Sequence, residues 1–108
     1  MAAAMSEGFA VSISRVDDRM VVVVRGEIDV ATAPSLASAF ADLASAGTPA
    51  DVVDLRHVTF CDSSGLSALI AAHQSLPPGQ PLTLLRPTRT VRRLLTLTGM
   101  TGTFRVED

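Results

Sequence analysis

From Phe9 onward the chain repeatedly switches between two hydrophobic periods, and this alternation constrains its fold more than any other feature. Phe9, Val11 and Ile13 fall on one side and Ala10, Ser12 and Ser14 on the other, the period-two pattern of a half-buried strand. Asp17-Asp18-Arg19 supplies turn chemistry, and Met20-Val-Val-Val-Val-Arg25 follows as a β-branched run suited to a strand covered on both faces. An opening hairpin is therefore predicted. From Thr32 the period lengthens: Leu36, Phe40 and Leu43 are spaced as on a helix, Thr32 and Pro34 suit its start, and Gly47 and Pro49 end it. Residues 51–58 read as a central strand, and Cys61-Asp-Ser-Ser-Gly65 as a polar elbow leading into a second helix with Leu66, Leu69, Ile70 and His73 on its inner stripe. After a proline-rich turn over 77–81 come a short buried strand at 82–85 and a third helix carrying Val91, Leu94, Leu95 and Thr98. Gly99 sits where a left-handed cap belongs, and 103–106 form a last edge strand. The order β-β-α-β-α-β-α-β predicts a single α/β domain over 9–108. Its N-terminal hairpin is followed by β-α units with right-handed crossovers, giving a mixed, mainly parallel sheet with helices packed on it.

Composition narrows the function classes. The 108 residues are 47% hydrophobic, enough to build one core. The longest apolar runs, 20–24 and 66–72, fall far short of the ~20 residues of a helical membrane span. Residues 1–8 lack the basic start and apolar middle of a secretory signal and read as a flexible tail, which predicts a cytoplasmic protein. Cys61 is the only cysteine, so neither an internal disulfide nor a multi-cysteine metal site is expected. A formal net charge of −2 gives no electrostatic footprint for direct nucleic-acid binding, and no cofactor motif appears.

Chemistry concentrates at the elbow. It joins a strand end to a helix start, the usual meeting place for ligands and partners on an open α/β sheet. Asp62 or Ser63 suits the helix N-cap, a structural role worth ~1 kcal/mol by itself.

Three segments resemble one family. Phe60-Cys-Asp-Ser-Ser-Gly-Leu66 is similar to the elbow of STAS domains that act as anti-sigma factor antagonists. Gly26-Glu-Ile-Asp-Val-Ala-Thr-Ala-Pro34 resembles that family's Gly-Glu-(Leu/Ile)-Asp loop before the first helix. Leu94-Leu-Thr-Leu-Thr-Gly-Met100 resembles its Thr/Ser-Gly-Leu segment, with Met100 a mild departure. The resemblance spans 9–107. It implies a partner switch: the unphosphorylated domain binds an anti-sigma factor with an ATPase-type serine kinase fold and so frees a sigma factor. Phosphorylation by that partner ends binding, and a serine phosphatase resets the site. Carried over, the acceptor is Ser63, with Ser64 the neighbouring non-acceptor; Asp29, Asp62, Ser64 and Gly65 join Ser63 in the partner-binding set. At a helix N-terminus the free N–H groups should tolerate a phosphate, while Asp62 and Asp29 already make the surroundings negative. Asp29 has two readings: partner positioning, or an ordinary loop acid before a helix.

The rival classes are weaker. Ser63, His57 or His73, and Asp62 or Asp54 make a hydrolytic triad on paper, but the elbow lacks Gly-x-Ser-x-Gly. His73 lies on an apolar stripe and reads as a core histidine, and His57 as a residue near a strand end. No enzymatic activity is therefore expected. Cys61 occupies a slot that suits a buried, inert thiol. Arg86, Arg89, Arg92 and Arg93 read as a solvated helix face. The remaining alternative keeps the fold and changes the role, to a STAS scaffold or an accessory subunit of a signalling complex or membrane transporter. The charge-free stretch from Ser63 to Leu76 suits an interface.

Overall fold

The computed structural model describes residues 2–6, by backbone alone, and 8–108. Its elements are β1 (Ala2–Ser6), β2 (Phe9–Val16), β3 (Arg19–Ile28), α1 (Ala33–Ser45), β4 (Val52–Cys61), α2 (Ser63–Gln74), β5 (Thr83–Leu85), α3 (Arg89–Leu97) and β6 (Arg105–Glu107). They form one sheet in the order β1-β2-β3-β4-β5-β6, antiparallel across β1-β2-β3 and parallel from β3 to β6. The predicted hairpin, single-helix crossovers and mainly parallel sheet are all present.

Side-chain alternation explains where the core sits. The register row Ile13–Val22–Val53–Leu84 belongs to, or packs against, one cluster that also holds Leu36, Phe40, Leu66, Leu69, Val91 and Leu95 from the three helices. Strands added in one direction by right-handed crossovers leave their helices on the same face. The neighbouring row Ser14–Val21–Val52–Thr83–Arg105 lies outside that cluster. The valine run of β3 is therefore covered by helices on one face only, not on both as its composition predicts: Val22 and Val24 are buried in the core, while Val21 and Val23 are half-buried on the other side.

Several boundaries differ from those predicted: the strand expected over 82–85 is Thr83–Leu85, the last strand, expected over 103–106, is Arg105–Glu107, and the larger differences lie elsewhere. The tail predicted over 1–8 contains β1, whose backbone pairs with β2; Met1 and Glu7 lie outside the described residues. β3 runs on through Gly26-Glu27-Ile28, where the motif reads as a loop. β4 follows it to Cys61, absorbing register shifts opposite Val23/Arg25 and Gly26/Glu27, so His57 sits mid-strand rather than near an end. Asp54 supplies a local reason for the first irregularity. Its buried carboxylate accepts the Arg56 N–H at 3.0 Å and pairs with the Arg56 guanidinium at 3.4 Å, competing with the ladder for that amide.

Gly26 shows why its motif begins with glycine. Its φ is +92°, and a Cβ there would fall 1.7 Å from the Gly8 carbonyl oxygen. Any side chain at that position collides with the backbone beside it.

Candidate functional site

β3 and β4 end together, and a hydrogen bond ties the elbow back to the end of β3: the Asp62 N–H donates to the Ile28 carbonyl at 3.2 Å. That bond sets the elbow beside the loop of Asp29. Asp62 is the N-cap of α2, with extended backbone, and its Oδ1 accepts the N–H groups of Ser64 at 2.8 Å and Gly65 at 3.3 Å. Its carbonyl takes the Leu66 N–H at 3.1 Å. Two of the N–H groups expected to be free for a phosphate, those of Ser64 and Gly65, are thus engaged by the neighbouring acid, whereas the Ser63 N–H has no hydrogen-bond acceptor among the described residues.

Underneath, Gly65 is buried against β3 and β4. A Cβ on it would lie 2.6 Å from Cys61 Sγ and 2.7 Å from Ile28 Cγ2, so the helix approaches the sheet at a distance only glycine permits. Cys61 is buried, and burial, followed by the Asp62 carboxylate, pushes its thiol up to about 11. It stays protonated at neutral pH, as a packing thiol should.

Above this fixed base Ser63 is the first helical residue and is exposed. Among the described residues none hydrogen-bonds to its hydroxyl, while its carbonyl accepts the Ser67 hydroxyl at 3.0 Å. Ser64 is half-buried and turns toward α1, lining an open groove of ≈ 410 Å³ with Ser67, Ala68 and Ala71 from α2 and Val30, Ala33, Pro34 and Ala37 from the α1 side.

Asp29 has a structural role in the turn before α1. Its Oδ1 accepts the N–H groups of Ala31 at 2.9 Å and Thr32 at 3.0 Å, and its own N–H donates to Thr32 Oγ1 at 2.9 Å. The Thr32 hydroxyl in turn donates to the Glu27 carbonyl at 2.8 Å. This tight turn starts α1 and places Glu27, Asp29 and Asp62 at neighbouring strand ends, so the site is acidic.

The histidines lie elsewhere. His73 Nδ1 accepts the Leu82 N–H at 3.2 Å and its ring stands edge-on to Phe104 at 5.6 Å, which makes it a structural link between α2 and β5. His73 follows Ser63 by ten helical positions, ~15 Å of rise. His73 is therefore not placed to serve Ser63, and among the described residues no hydrogen bond joins His57, within β4, to Ser63.

Two residues escape the sequence reading. Val30 is 74% exposed on the rim of the groove, and Phe60, three residues before Ser63, is 43% exposed. Val30 carries no periodic signal because it lies in a turn. Phe60 is turned outward by the irregular end of β4, which no simple alternation anticipates.

A family model described as "Mlab, STAS domain" matches residues 11–106. The chain belongs to the STAS domain family. This STAS domain is 30% identical over 93 residues to an anti-sigma-B factor antagonist of Staphylococcus epidermidis, covering 85% of this chain and 86% of that protein. Among solved structures, an anti-sigma factor antagonist from Mycobacterium paratuberculosis matches with a TM-score of 0.84 at 32% identity, over 96% of this chain and 89% of that one. The Bacillus cell fate determinant SpoIIAA in its phosphorylated form shares the fold, with a TM-score of 0.64 at 21% identity over 92% of each chain. No helix among the described residues is long and apolar enough to cross a membrane.

Proposed function

We propose that this STAS domain is a non-catalytic, cytoplasmic anti-sigma factor antagonist. In this reading its unphosphorylated form docks on an anti-sigma factor of ATPase-type serine kinase fold and frees a sigma factor. Phosphorylation of Ser63 by that partner ends docking, and a serine phosphatase restores it. The observation that carries the proposal is the display of Ser63: exposed, with a free hydroxyl, on the first turn of a helix clamped to the sheet by Asp62 and Gly65. The names of the Staphylococcus and Mycobacterium relatives support the antagonist role, and a protein of this fold in phosphorylated form supports the compatibility of phosphate with the architecture.

The charge argument gives the direction of the switch. A phosphate adds about −1.5 to −2 charges at neutral pH. With the Ser64 and Gly65 N–H groups held by Asp62, the new charge is poorly compensated from within, and Asp29 and Glu27 add to its field. Each ~1.4 kcal/mol of repulsion or desolvation then weakens docking about tenfold. The charge-free outer face of α2, with Ser64, Val30 and Phe60 near the elbow, is the surface assigned to the partner.

The test combines ATP, magnesium and purified ATPase-type anti-sigma factors of the same genome. Binding by the wild-type chain, label on Ser63 by fragmentation mass spectrometry, and at least about a tenfold loss of affinity in Ser63→Asp are expected. Label on Ser64 alone overturns the assignment. Neither binding nor label with any such partner moves the reading to a scaffold or accessory subunit.

A further inference from the structure

Two serines stand side by side at the elbow, and each carries a hydroxyl capable of taking a phosphoryl group. The geometry points to Asp62 as the residue that decides between them, by holding Ser63 outward and Ser64 in the α1–α2 groove. The inference rests on the phosphorylation reading above and adds a positioning residue to it.

Three observations place the decision in the cap. Asp62 Oδ1 binds the N–H of Ser64 itself at 2.8 Å, and of Gly65 at 3.3 Å, so the backbone orientation of both residues after Ser63 is fixed by one oxygen atom. Gly65 cannot back away, because it is pressed on Cys61 Sγ and Ile28. In that fixed frame Ser63 is exposed while Ser64 is half-buried and lines the groove beside Val30, Ala33 and Pro34. Successive residues of a helix point about 100° apart, so turning Ser63 toward a kinase turns Ser64 away from it. Freed from its cap, the first turn frays, and both hydroxyls sample the outside.

In the reaction, Ser63 Oγ forms a bond to the γ-phosphorus of ATP as the bond from that phosphorus to the β–γ bridging oxygen breaks. ADP leaves with the electron pair, and the hydroxyl proton passes to a carboxylate base of the partner kinase. Asp62 takes no part in this transfer. Its one used oxygen is bound to backbone amides, and it acts by orientation.

The experiment separates cap from charge. Asp62→Asn keeps a side-chain oxygen that accepts the same N–H groups and drops the charge; Asp62→Ala drops both. Each is combined with Ser63→Ala and incubated with the kinase, ATP and magnesium, with circular dichroism confirming the fold. Ser63→Ala alone and Asp62→Asn/Ser63→Ala are expected to stay unlabelled, whereas Asp62→Ala/Ser63→Ala gains label on Ser64. With Ser63 intact, the Ser63-to-Ser64 label ratio falls about tenfold in Asp62→Ala, the factor equivalent to ~1.4 kcal/mol. Equal label on Ser64 in the Asn and Ala backgrounds, or none in either, overturns the inference while leaving the switch intact. If the wild-type chain takes no label, the switch reading itself fails, and amide exchange decides the cap: protection at Ser64 and Gly65 should drop about tenfold in Asp62→Ala and persist in Asp62→Asn. Unchanged protection in Asp62→Ala refutes it.

Discussion

Gly65→Ala offers a direct measure of how tightly the elbow is pressed on the sheet. In an ordinary helix the change favours the fold, since alanine exceeds glycine in helix propensity by about 1 kcal/mol. Here the added methyl meets Cys61 Sγ at 2.6 Å and Ile28 Cγ2 at 2.7 Å, with Ile28 Cβ at 3.2 Å. Neither neighbour is a flexible tip: Ile28 is fully buried and Cys61 nearly so. Relief therefore requires the helix start to lift from β3 and β4, and overpacking of this kind costs about 1–3 kcal/mol. With two contacts under 3.0 Å the cost falls in the upper part of that range, about 2–3 kcal/mol, so after the propensity gain a net loss of about 1–2 kcal/mol remains, a fall in Tm of about 5–15 °C for a domain of this size. Thermal unfolding followed by circular dichroism measures it. Cys61→Ala removes the sulfur contact, so the double variant should lose less than the two single losses combined. A Gly65→Ala chain as stable as wild type, or more so, refutes the close approach and with it the rigid base under Ser63.

Two further outcomes test other parts of the molecule. The buried Cys61 thiol is pushed up to about 11 from an ordinary value of 9.0, so the folded chain holds this proton more tightly than the unfolded one. Its contribution is complete below pH 9 and is lost as the pH rises through 11; chemical denaturation across that window should show a steeper decline for wild type than for Cys61→Ala, and equal slopes would contradict the assignment. Thr88 is the N-cap residue of α3, yet among the described residues its buried hydroxyl finds no partner and caps no N–H. Thr88→Val keeps the shape, removes the stranded polar group and should raise stability by about 1 kcal/mol; a lower Tm would mean that the hydroxyl is satisfied after all.

From Phe9 onward element order was legible because each segment announces its own period, while β1 within the predicted tail was not; His73 read as structural because it falls in step with Leu66 and Leu69. What the pattern hides is long-range. Nothing local distinguishes Val21 and Val23 from Val22 and Val24; only the one-sided stacking of helices leaves the first pair half-buried. The motif Gly26-Glu-Ile-Asp29 reads locally as a loop, but the strand continues through Ile28 because β4 runs alongside it to Cys61. Asp62 as cap was one of two local options; its Oδ1 contacts decide between Asp62 and Ser63. The groove could not be read at all, because Val30, in the turn before α1, and Ser64, on α2, line it together only through a relative placement of α1 and α2 that no single segment encodes.

In the proposed switch, the same contacts let charge at this elbow act on docking and not on folding. Asp62 already satisfies the helix entrance, so the fold does not depend on anything Ser63 Oγ binds. Gly65 and Cys61 sit below, in apolar packing that a surface charge reaches only weakly. A phosphate on Ser63 would break no hydrogen bond that its hydroxyl makes among the described residues, yet it would stand beside Asp62 and near the strand ends that carry Asp29 and Glu27. Its free energy is spent on whatever approaches from outside. A site built in this way separates the residues that hold the turn from the residue proposed to carry the signal, and Ser63 is the side chain of the Asp62–Gly65 run that combines an exposed hydroxyl with no side-chain hydrogen bond among the described residues.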